Sequence, residues 1–327
     1  MWGLTLDTIQ SLDVVLVNGT IATLSSQNHP DLFWAMRGAG PSFGITTSIH
    51  VKTYPEPKNT TIYNYSWNLR PVDAVRVVSS FQIFVETSDI PKEFTAEIEF
   101  YQTKVAGQLS VTLTGGWYGP TNGLNAIIAP YLATVPKPDK IHFQTGSYID
   151  SLRYLGGIGH LSTKKVADTR NTFYAKSLMT PEASPISDKA LAAFTNYLAD
   201  DGVKTNLNWF VQLELYGGKN SIINAVPQDA TAFGRRNAMW TIQFYTSSPN
   251  YQPPFPDYGF SFLDDMVHRI TDNSPKGWDI GAYPNYADGR LKNWQELYYG
   301  AHYRRLQGLK RQYDPRNTFS FPQSIEL

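Results

Sequence analysis

The sequence contains no cysteine. Without thiols the chain cannot build a disulfide framework, a zinc site based on thiolates or a cysteine nucleophile. Its six histidines are scattered and form no H-x-x-x-H pair, so a histidine-based metal site is not expected. We therefore predict no metal ligands.

Long apolar runs and an excess of one charge are also missing. No apolar stretch approaches the ~18 residues that a membrane span needs, so no membrane partner is expected. Lys+Arg and Asp+Glu both number 28 among 327 residues, without a long single-sign run. This balance argues against nucleic acid as a partner.

A secretion signal is not visible, because no basic region followed by an apolar stretch opens the chain. Three glycosylation sequons are nevertheless present, at Asn18, Asn59 and Asn64. They weakly favour a secretory route for the complete protein. No protein partner can be inferred from the sequence.

Hydrophobic periodicity predicts strands that arrive in pairs, with helices between them. Strands are predicted at 14–17, 21–24, 45–51, 60–67, 94–101, 109–117, 173–178, 209–215 and 240–245. Helices are predicted at 30–37, 72–87, 124–133, 187–199, 259–271 and 291–311. This order favours an α+β fold with a largely antiparallel sheet. Two prolines in Tyr54-Pro-Glu-Pro predict a linker after the first three strands.

The segment RGAGPSFGIT, residues 37–46, fits three interpretations. It matches the G-x-S-x-G nucleophile elbow and loosely matches a dinucleotide-binding fingerprint. Both of those motifs need a strand before the glycines and a helix after them, whereas the predicted order here is helix and then strand. The segment is therefore predicted to be a tight bend, with Gly38 and Gly40 free to adopt positive φ.

Two separate stretches of the chain resemble one known family. HPDLFWAMRGAGPSFGITTSIHVKTYP is similar to a segment of FAD-linked oxidases of the vanillyl-alcohol-oxidase superfamily, in their berberine-bridge-enzyme-like group. Near the other end, Y-x-N-Y at 283–286, Y-Y-G at 298–300, K-x-x-Y-D-P-x-N-x-F at 310–319 and Q-S-I at 323–325 resemble the C-terminal segment of the same group. The chain departs from the first pattern at Ala39 and at Pro41-Ser42.

The resemblance implies a fold and a domain division. Residues 1–56 would be the C-terminal part of a PCMH-type FAD-binding domain. Residues 57–275 would be an α+β substrate domain with a large antiparallel sheet flanked by helices, and 276–327 would return to the FAD domain. Full-length members have a further N-terminal portion that attaches the flavin. This chain is therefore expected to be a fragment, or a descendant that lost half of the cofactor site.

The resemblance also implies FAD as the cofactor and assigns roles to single residues. Tyr283 would be the base that removes the substrate's hydroxyl proton, and Gln243 would support it. Residues expected near the cofactor are Gly38, Gly40, Phe43, Gly44, Asn285, Tyr286 and Asn317.

A polar strand face is a candidate for substrate binding. In the strand at 209–215, alternation places Phe210, Gln212 and Glu214 on one face. That face meets either bulk solvent or a cleft, and the residues alone leave both open. In the carbohydrate oxidases that the chain resembles, an equivalent pair binds sugar hydroxyls. Four basic residues, Lys164, Lys165, Arg235 and Arg236, are interpreted as surface charges.

Two hypotheses about function follow. The first is a flavin-dependent oxidase that transfers a hydride from an alcohol carbon of an oligosaccharide or a secondary metabolite to FAD, with O2 as the acceptor. The second is an inactive, truncated remnant of such an oxidase.

Overall fold

Ten strands and eight α-helices form the described part of the chain, residues 1–157 and 171–327 of the computed structural model. The strands are β1 (Ile9–Val15), β2 (Ile21–Ser25), β3 (Ile45–Val51), β4 (Thr60–Leu69), β5 (Glu97–Tyr101), β6 (Leu109–Trp117), β7 (Lys140–Gly146), β8 (Phe173–Pro181), β9 (Asn208–Leu215) and β10 (Ala238–Ser247). The helices are α1 (Pro30–Ala39), α2 (Pro71–Thr87), α3 (Leu124–Leu132), α4 (Tyr148–Leu155), α5 (Asp188–Lys204), α6 (Tyr258–Thr271), α7 (Trp294–Tyr299) and α8 (Tyr303–Tyr313).

The strands form two antiparallel sheets. The small sheet has the order β2-β1-β3, and the large sheet has the order β7-β4-β6-β5-β9-β10-β8. All described pairs in the large sheet are antiparallel. The predicted α+β fold with a large antiparallel sheet flanked by helices is therefore confirmed.

One face of the large sheet carries the main hydrophobic core. Helices α2, α3, α5 and α6 contribute apolar side chains to this core and cover that face. Aromatic side chains fill its centre, among them Trp67, Phe81, Phe194 and Trp240. Because strand residues alternate between the two faces, every second residue of these strands points away from the helices.

A second core joins the two ends of the chain. Leu12 and Val14 of β1 and the apolar face of α1 pack with Leu306 of α8 and with Ile325. The C-terminal residues thus return to the N-terminal sheet. The domain bounds 1–56, 57–275 and 276–327 stay a prediction.

The prediction of one long helix over 291–311 is wrong. The structure has α7, a 3-10 turn at Gly300–His302 and then α8. Gly300 has φ 52° and ψ −134°, which is incompatible with a continuous right-handed helix. Strand β7 and helix α4 were not predicted. β7 is an edge strand without a fully buried residue, although Ile141 and Phe143 alternate with polar residues in its sequence.

The interpretation of Arg235 and Arg236 as surface charges is also wrong. Arg236 is 3% exposed and donates two hydrogen bonds, of 2.6 and 2.8 Å, to the Asp7 carboxylate. Arg235 is 7% exposed and binds Asp279 at 2.9 Å. Buried arginines of this kind need paired acceptors, which sequence alone does not reveal. Lys164 and Lys165 lie outside the described residues.

Of the three sequon asparagines, Asn18 and Asn59 are exposed, whereas Asn64 lies half-buried within β4. Secretion stays a prediction. Among the described residues, the helices are too short or too polar to cross a membrane.

The bend after α1 has the predicted helix-to-strand order. Gly38 has φ 141°, as expected for a glycine position, but Gly40 has φ −47°, so its predicted positive φ is wrong. A Cβ atom on Gly38 would lie 2.5 Å from the backbone N of Phe233. The residue therefore has to be glycine both for its backbone angle and for the close approach of another segment.

We expect Gly38→Ala to lower the free energy of unfolding by more than about 3 kcal/mol, because backbone strain and a backbone collision add together. Chemical denaturation followed by circular dichroism measures this change.

Gly19→Ala is the matched control. Gly19 also has positive φ, 81°, but a Cβ there would meet nothing within 4 Å. Its expected cost is only the left-handed strain of about 1 kcal/mol. Equal losses in the two variants would contradict a role for the contact with Phe233.

Candidate active site

The face of the large sheet that points away from the helices is polar. The register places Glu97 of β5 opposite Glu214 of β9, and Glu99 opposite Gln212. Gln243 of β10 pairs with Gln212 on one side and with Ser177 of β8 on the other. Four neighbouring strands thus present a continuous patch of carboxylates, amides and a hydroxyl, which we call the polar patch.

Two tyrosines lie over the polar patch. The Tyr286 hydroxyl donates a 2.6 Å hydrogen bond to Oε1 of Glu214. The Tyr283 hydroxyl accepts a 2.9 Å hydrogen bond from Nδ2 of Asn285. The two tyrosine rings are 5.1 Å apart in an edge-to-face arrangement. The structure therefore brings together Glu214, Tyr283, Asn285 and Tyr286, which the sequence placed in two separate motifs.

Gln243 reaches this group indirectly. Its register partner Ser177 accepts a 2.8 Å hydrogen bond from the backbone N–H of Tyr283. Gln243 is half-buried on the polar patch, next to β8, whose Ser177 binds the Tyr283 backbone. Its predicted support of Tyr283 stays a prediction.

Glu97 and Glu99 belong to the polar patch but were missed at the sequence level. Nε2 of Gln212 donates to Glu97 at 2.5 Å and to Glu99 at 3.4 Å. The signal was available, because E-I-E-F in β5 alternates carboxylates with the buried Ile98 and Phe100. Only the pairing of β5 with β9, which joins segments more than 100 residues apart, shows that these carboxylates approach Gln212 and Glu214.

Two carboxyl groups of the polar patch, Glu97 and Glu214, have raised pKa values. Burial, followed by the neighbouring charges of Glu99 and Glu214, raises the pKa of Glu97 to about 8. Burial also raises the pKa of Glu214, against the effect of the hydrogen bond from Tyr286. Burial and that same hydrogen bond raise the pKa of Tyr286. A proton can therefore be stored on the patch near neutral pH.

Phe210 lies at one end of the polar patch, in a row of aromatic rings. Its ring stacks on Tyr245 with 4.6 Å between centroids and 13° between planes. Tyr101 lies on its other side at 6.3 Å. One face of Phe210 is thus covered by Tyr245. Its predicted role in substrate binding stays a prediction.

The glycine bend predicted to bind the cofactor is filled by the protein itself. Phe43 is fully buried in the second core. A Cβ on Gly44 would lie 2.5 Å from Cγ1 of Val14, and one on Gly40 would lie 3.3 Å from Cε of Met36. Together with the contact of Gly38 with Phe233, these approaches explain the glycines without a ligand.

The fit to a flavin therefore rests on the other predicted residues. Tyr283, Asn285 and Tyr286 present hydroxyl and amide groups beside the polar patch, which is suitable chemistry for one wall of a flavin and substrate site. Asn317 has φ 53°, and its buried Oδ1 has no hydrogen-bond partner among the described residues. No group of three or more His, Asp or Glu side chains within residues 1–157 and 171–327 is arranged to hold a metal ion.

Comparison with known proteins gives consistent matches. A family model described as "Berberine and berberine like" matches residues 282–326, the segment that carries both tyrosines. A xylooligosaccharide oxidase of Thermothelomyces thermophilus is 32% identical over 329 residues, which are 99% of this chain and 64% of the relative. The chain thus spans less than two thirds of that relative's length.

Solved structures of similar oxidases superpose on nearly the whole chain. A chitooligosaccharide oxidase matches with a TM-score of 0.89 and 27% identity, covering 99% of this chain and 67% of its own. A glucooligosaccharide oxidase from Acremonium strictum, studied for its 6-S-cysteinyl, 8α-N1-histidyl FAD, matches with a TM-score of 0.89 and 29% identity over the same shares. FAD, the cofactor that the resemblance implied, is thus the one carried by this relative.

The raised pKa of Glu97 predicts a pH effect on stability. Above the pKa of an unfolded glutamate, near 4.5, and below about 8, the folded protein binds more protons at this group than the unfolded protein does. The free energy of unfolding therefore falls as pH rises through this window. We expect Glu97→Gln to gain at least about 1 kcal/mol relative to the unsubstituted protein between pH 5 and 8.5.

Urea denaturation at both pH values measures this difference. Glu86→Gln removes an exposed carboxyl on α2 and serves as the control, for which no comparable change is expected. Parallel pH profiles for Glu97→Gln and the unsubstituted protein would show that Glu97 is ionised throughout.

Proposed function

The chain is a relative of the berberine-bridge-like FAD-linked oxidases, and from that premise we propose that it forms the substrate-binding part of a flavin-dependent oxidase. The proposed substrate is a sugar or oligosaccharide that is oxidised at an alcohol carbon, because the named relatives are oligosaccharide oxidases. A secondary-metabolite alcohol is the alternative substrate. FAD is the proposed cofactor and O2 the proposed electron acceptor.

The hydrogen bond between Tyr286 and Glu214 is the observation that supports this proposal most directly. It places a phenol next to a carboxylate on an open polar sheet face, with Gln212 beside them. Carboxylates and amides of this kind bind sugar hydroxyls. An ordinary solvent-facing strand would not require the 2.6 Å contact with a tyrosine from a distant segment.

Oxidation of an alcohol to a carbonyl releases a hydride and a proton. FAD supplies the hydride acceptor when it is bound, and the protein has to take the proton. We propose two phenols for this step. Tyr283 is the base suggested by its motif, and a phenolate there would be stabilised by the amide of Asn285.

Tyr286 offers a second route for the proton. Its hydroxyl already donates to Glu214, so it can accept a proton from the substrate while its own proton moves to the carboxylate. The raised pKa of Glu214 makes this carboxylate a better proton acceptor than an exposed one. The side-chain amides of Gln212 and Gln243 would orient the substrate by hydrogen bonds to its hydroxyl groups.

The proposal is tested by incubating the purified chain with FAD, removing free FAD and recording the visible absorption spectrum. Hydrogen peroxide formation is then measured with xylo-, chito- and gluco-oligosaccharides. We expect a retained flavin band and turnover of at least one of these series. A colourless protein without turnover would contradict the proposal and favour the inactive remnant.

Single and double variants test the proton route. We expect Tyr286→Phe and Glu214→Gln each to lower kcat by about 100-fold, the usual scale of general-base catalysis. The double variant should lose no more than either single one, because the two groups act as one unit. Additive losses would contradict a shared proton.

Tyr283→Phe is compared in the same assay and separates the two candidate bases. A loss of kcat in Tyr283→Phe that matches Tyr286→Phe assigns both phenols to the reaction. Tyr258→Phe, which removes an exposed phenol at the start of α6, serves as the control and should keep its kcat.

A further inference from the structure

Residues 281–288, which we call the tyrosine loop, carry Tyr283 and Tyr286 over the polar patch. The loop begins beside the edge strand β8, where Gly281 and Met179 exchange backbone hydrogen bonds of 2.7 and 2.9 Å. The Ser177 hydroxyl then accepts the bond from the Tyr283 amide at 2.8 Å. The first end of the loop is therefore fixed by the backbone.

The second end of the loop is fixed by one residue. Asp288 is 2% exposed, and its carboxylate accepts hydrogen bonds from Nζ of Lys176 at 2.8 Å and from the Tyr174 hydroxyl at 2.7 Å. Its backbone N–H donates to the Tyr298 hydroxyl at 3.0 Å, and its carbonyl accepts from Gln323. Asp288 thus joins β8, α7 and the C-terminal segment.

Lys176 is itself buried and has a second carboxylate partner. Asp264 of α6 lies 2.8 Å from the lysine ammonium, the same distance as Asp288. A buried ammonium with two carboxylates keeps one partner when the other is neutralised. Removing the charge of either aspartate is therefore tolerable for folding, whereas removing the lysine would leave two carboxylates without their cation.

The contacts of Asp288 with Lys176 and Tyr174, which we call the anchor, are close in sequence to Tyr286 but lie on the other side of the edge strand β8. Lys176 and Tyr174 lie on the core side of β8, whereas Ser177 lies on the polar side. Tyr286 has to reach past β8 and β10 to Glu214 on β9, about 10 Å across two strand spacings. Only one residue separates Tyr286 from Asp288, so the anchor restricts where this phenol can lie.

We propose that Asp288, held by Lys176 and Tyr174, is a positioning residue that fixes the Tyr286–Glu214 hydrogen bond. The residue touches neither substrate nor cofactor and acts through the tyrosine loop. Its importance for turnover rests on the proposed function, whereas its effect on the hydrogen bond does not.

The test uses 3-fluorotyrosine incorporated at position 286 and its 19F resonance. Spectra are recorded for the otherwise unsubstituted chain, for Asp288→Asn and for Asp264→Asn. Glu214→Gln provides the resonance of Tyr286 without its carboxylate partner. Asp264→Asn is the matched control, because it also removes one carboxylate from Lys176 but lies outside the tyrosine loop.

We expect the resonance in Asp288→Asn to move at least half of the way to that of Glu214→Gln. The resonance in Asp264→Asn should stay where it is in the unsubstituted chain. An unmoved resonance in Asp288→Asn, or an equal shift in both variants, would overturn the proposal. Should Asp288→Asn fail to fold, Tyr174→Phe removes one hydrogen bond to Asp288 and keeps the ring, and a smaller shift in the same direction is expected.

Turnover provides the second readout. We expect kcat in Asp288→Asn to fall at least tenfold with KM changed less than about threefold, since misplacement of a catalytic group by about 1 Å has effects of this size. Asp264→Asn should keep its kcat. A chain without any turnover would refute the proposed function, and the 19F spectra would still decide the role of Asp288.

Discussion

The site depends on the difference between the two faces of the large sheet, one apolar and covered by helices, the other polar. Helices cover one face of the seven-stranded sheet, and strand alternation then directs every second side chain of β5, β9 and β10 to the other face. Carboxylates and amides can gather there because their burial is partial and they are paired with one another. A shift of one residue in the register of β9 would exchange Gln212 and Glu214 for buried leucine and valine.

The chain returns to its beginning after the segment that carries the tyrosines. Lys310 is fully buried, and its ammonium donates to Asp314 at 2.7 Å and to the Ser42 carbonyl at 2.9 Å. The Ser42 hydroxyl in turn accepts from the backbone of Ile325. These bonds fasten the C-terminal segment to the glycine bend. The bend thus supports the site by holding the segment that carries the tyrosines, and its glycines serve packing.

Local patterns in the sequence were sufficient for most elements and for the polar strand face. The alternation in β9 predicted that Glu214 lies on the polar face, and the family motif identified Tyr286 as a candidate site residue. Neither pattern predicts that the two side chains are in contact. Their hydrogen bond depends on which strands are neighbours, which is a property of the whole fold. The same holds for Glu97, which lies near Glu214 only through the pairing of β5 with β9, and for Arg236, which looks like a surface charge until Asp7 is placed beside it.

The tyrosine loop has a second consequence for the sheet. Unpaired strand edges are templates for association between chains, and β8 is one of the two edges of the large sheet. The backbone N–H and carbonyl of Met179 form hydrogen bonds with Gly281, and the residues that follow Gly281 lie over this edge. At the other edge, β7 exposes Ile141 and Phe143 within the part of the chain that the structure describes. The segment that carries Tyr283 and Tyr286 therefore also covers part of a strand edge, so a substitution among its eight residues can change association between chains as well as the proposed site.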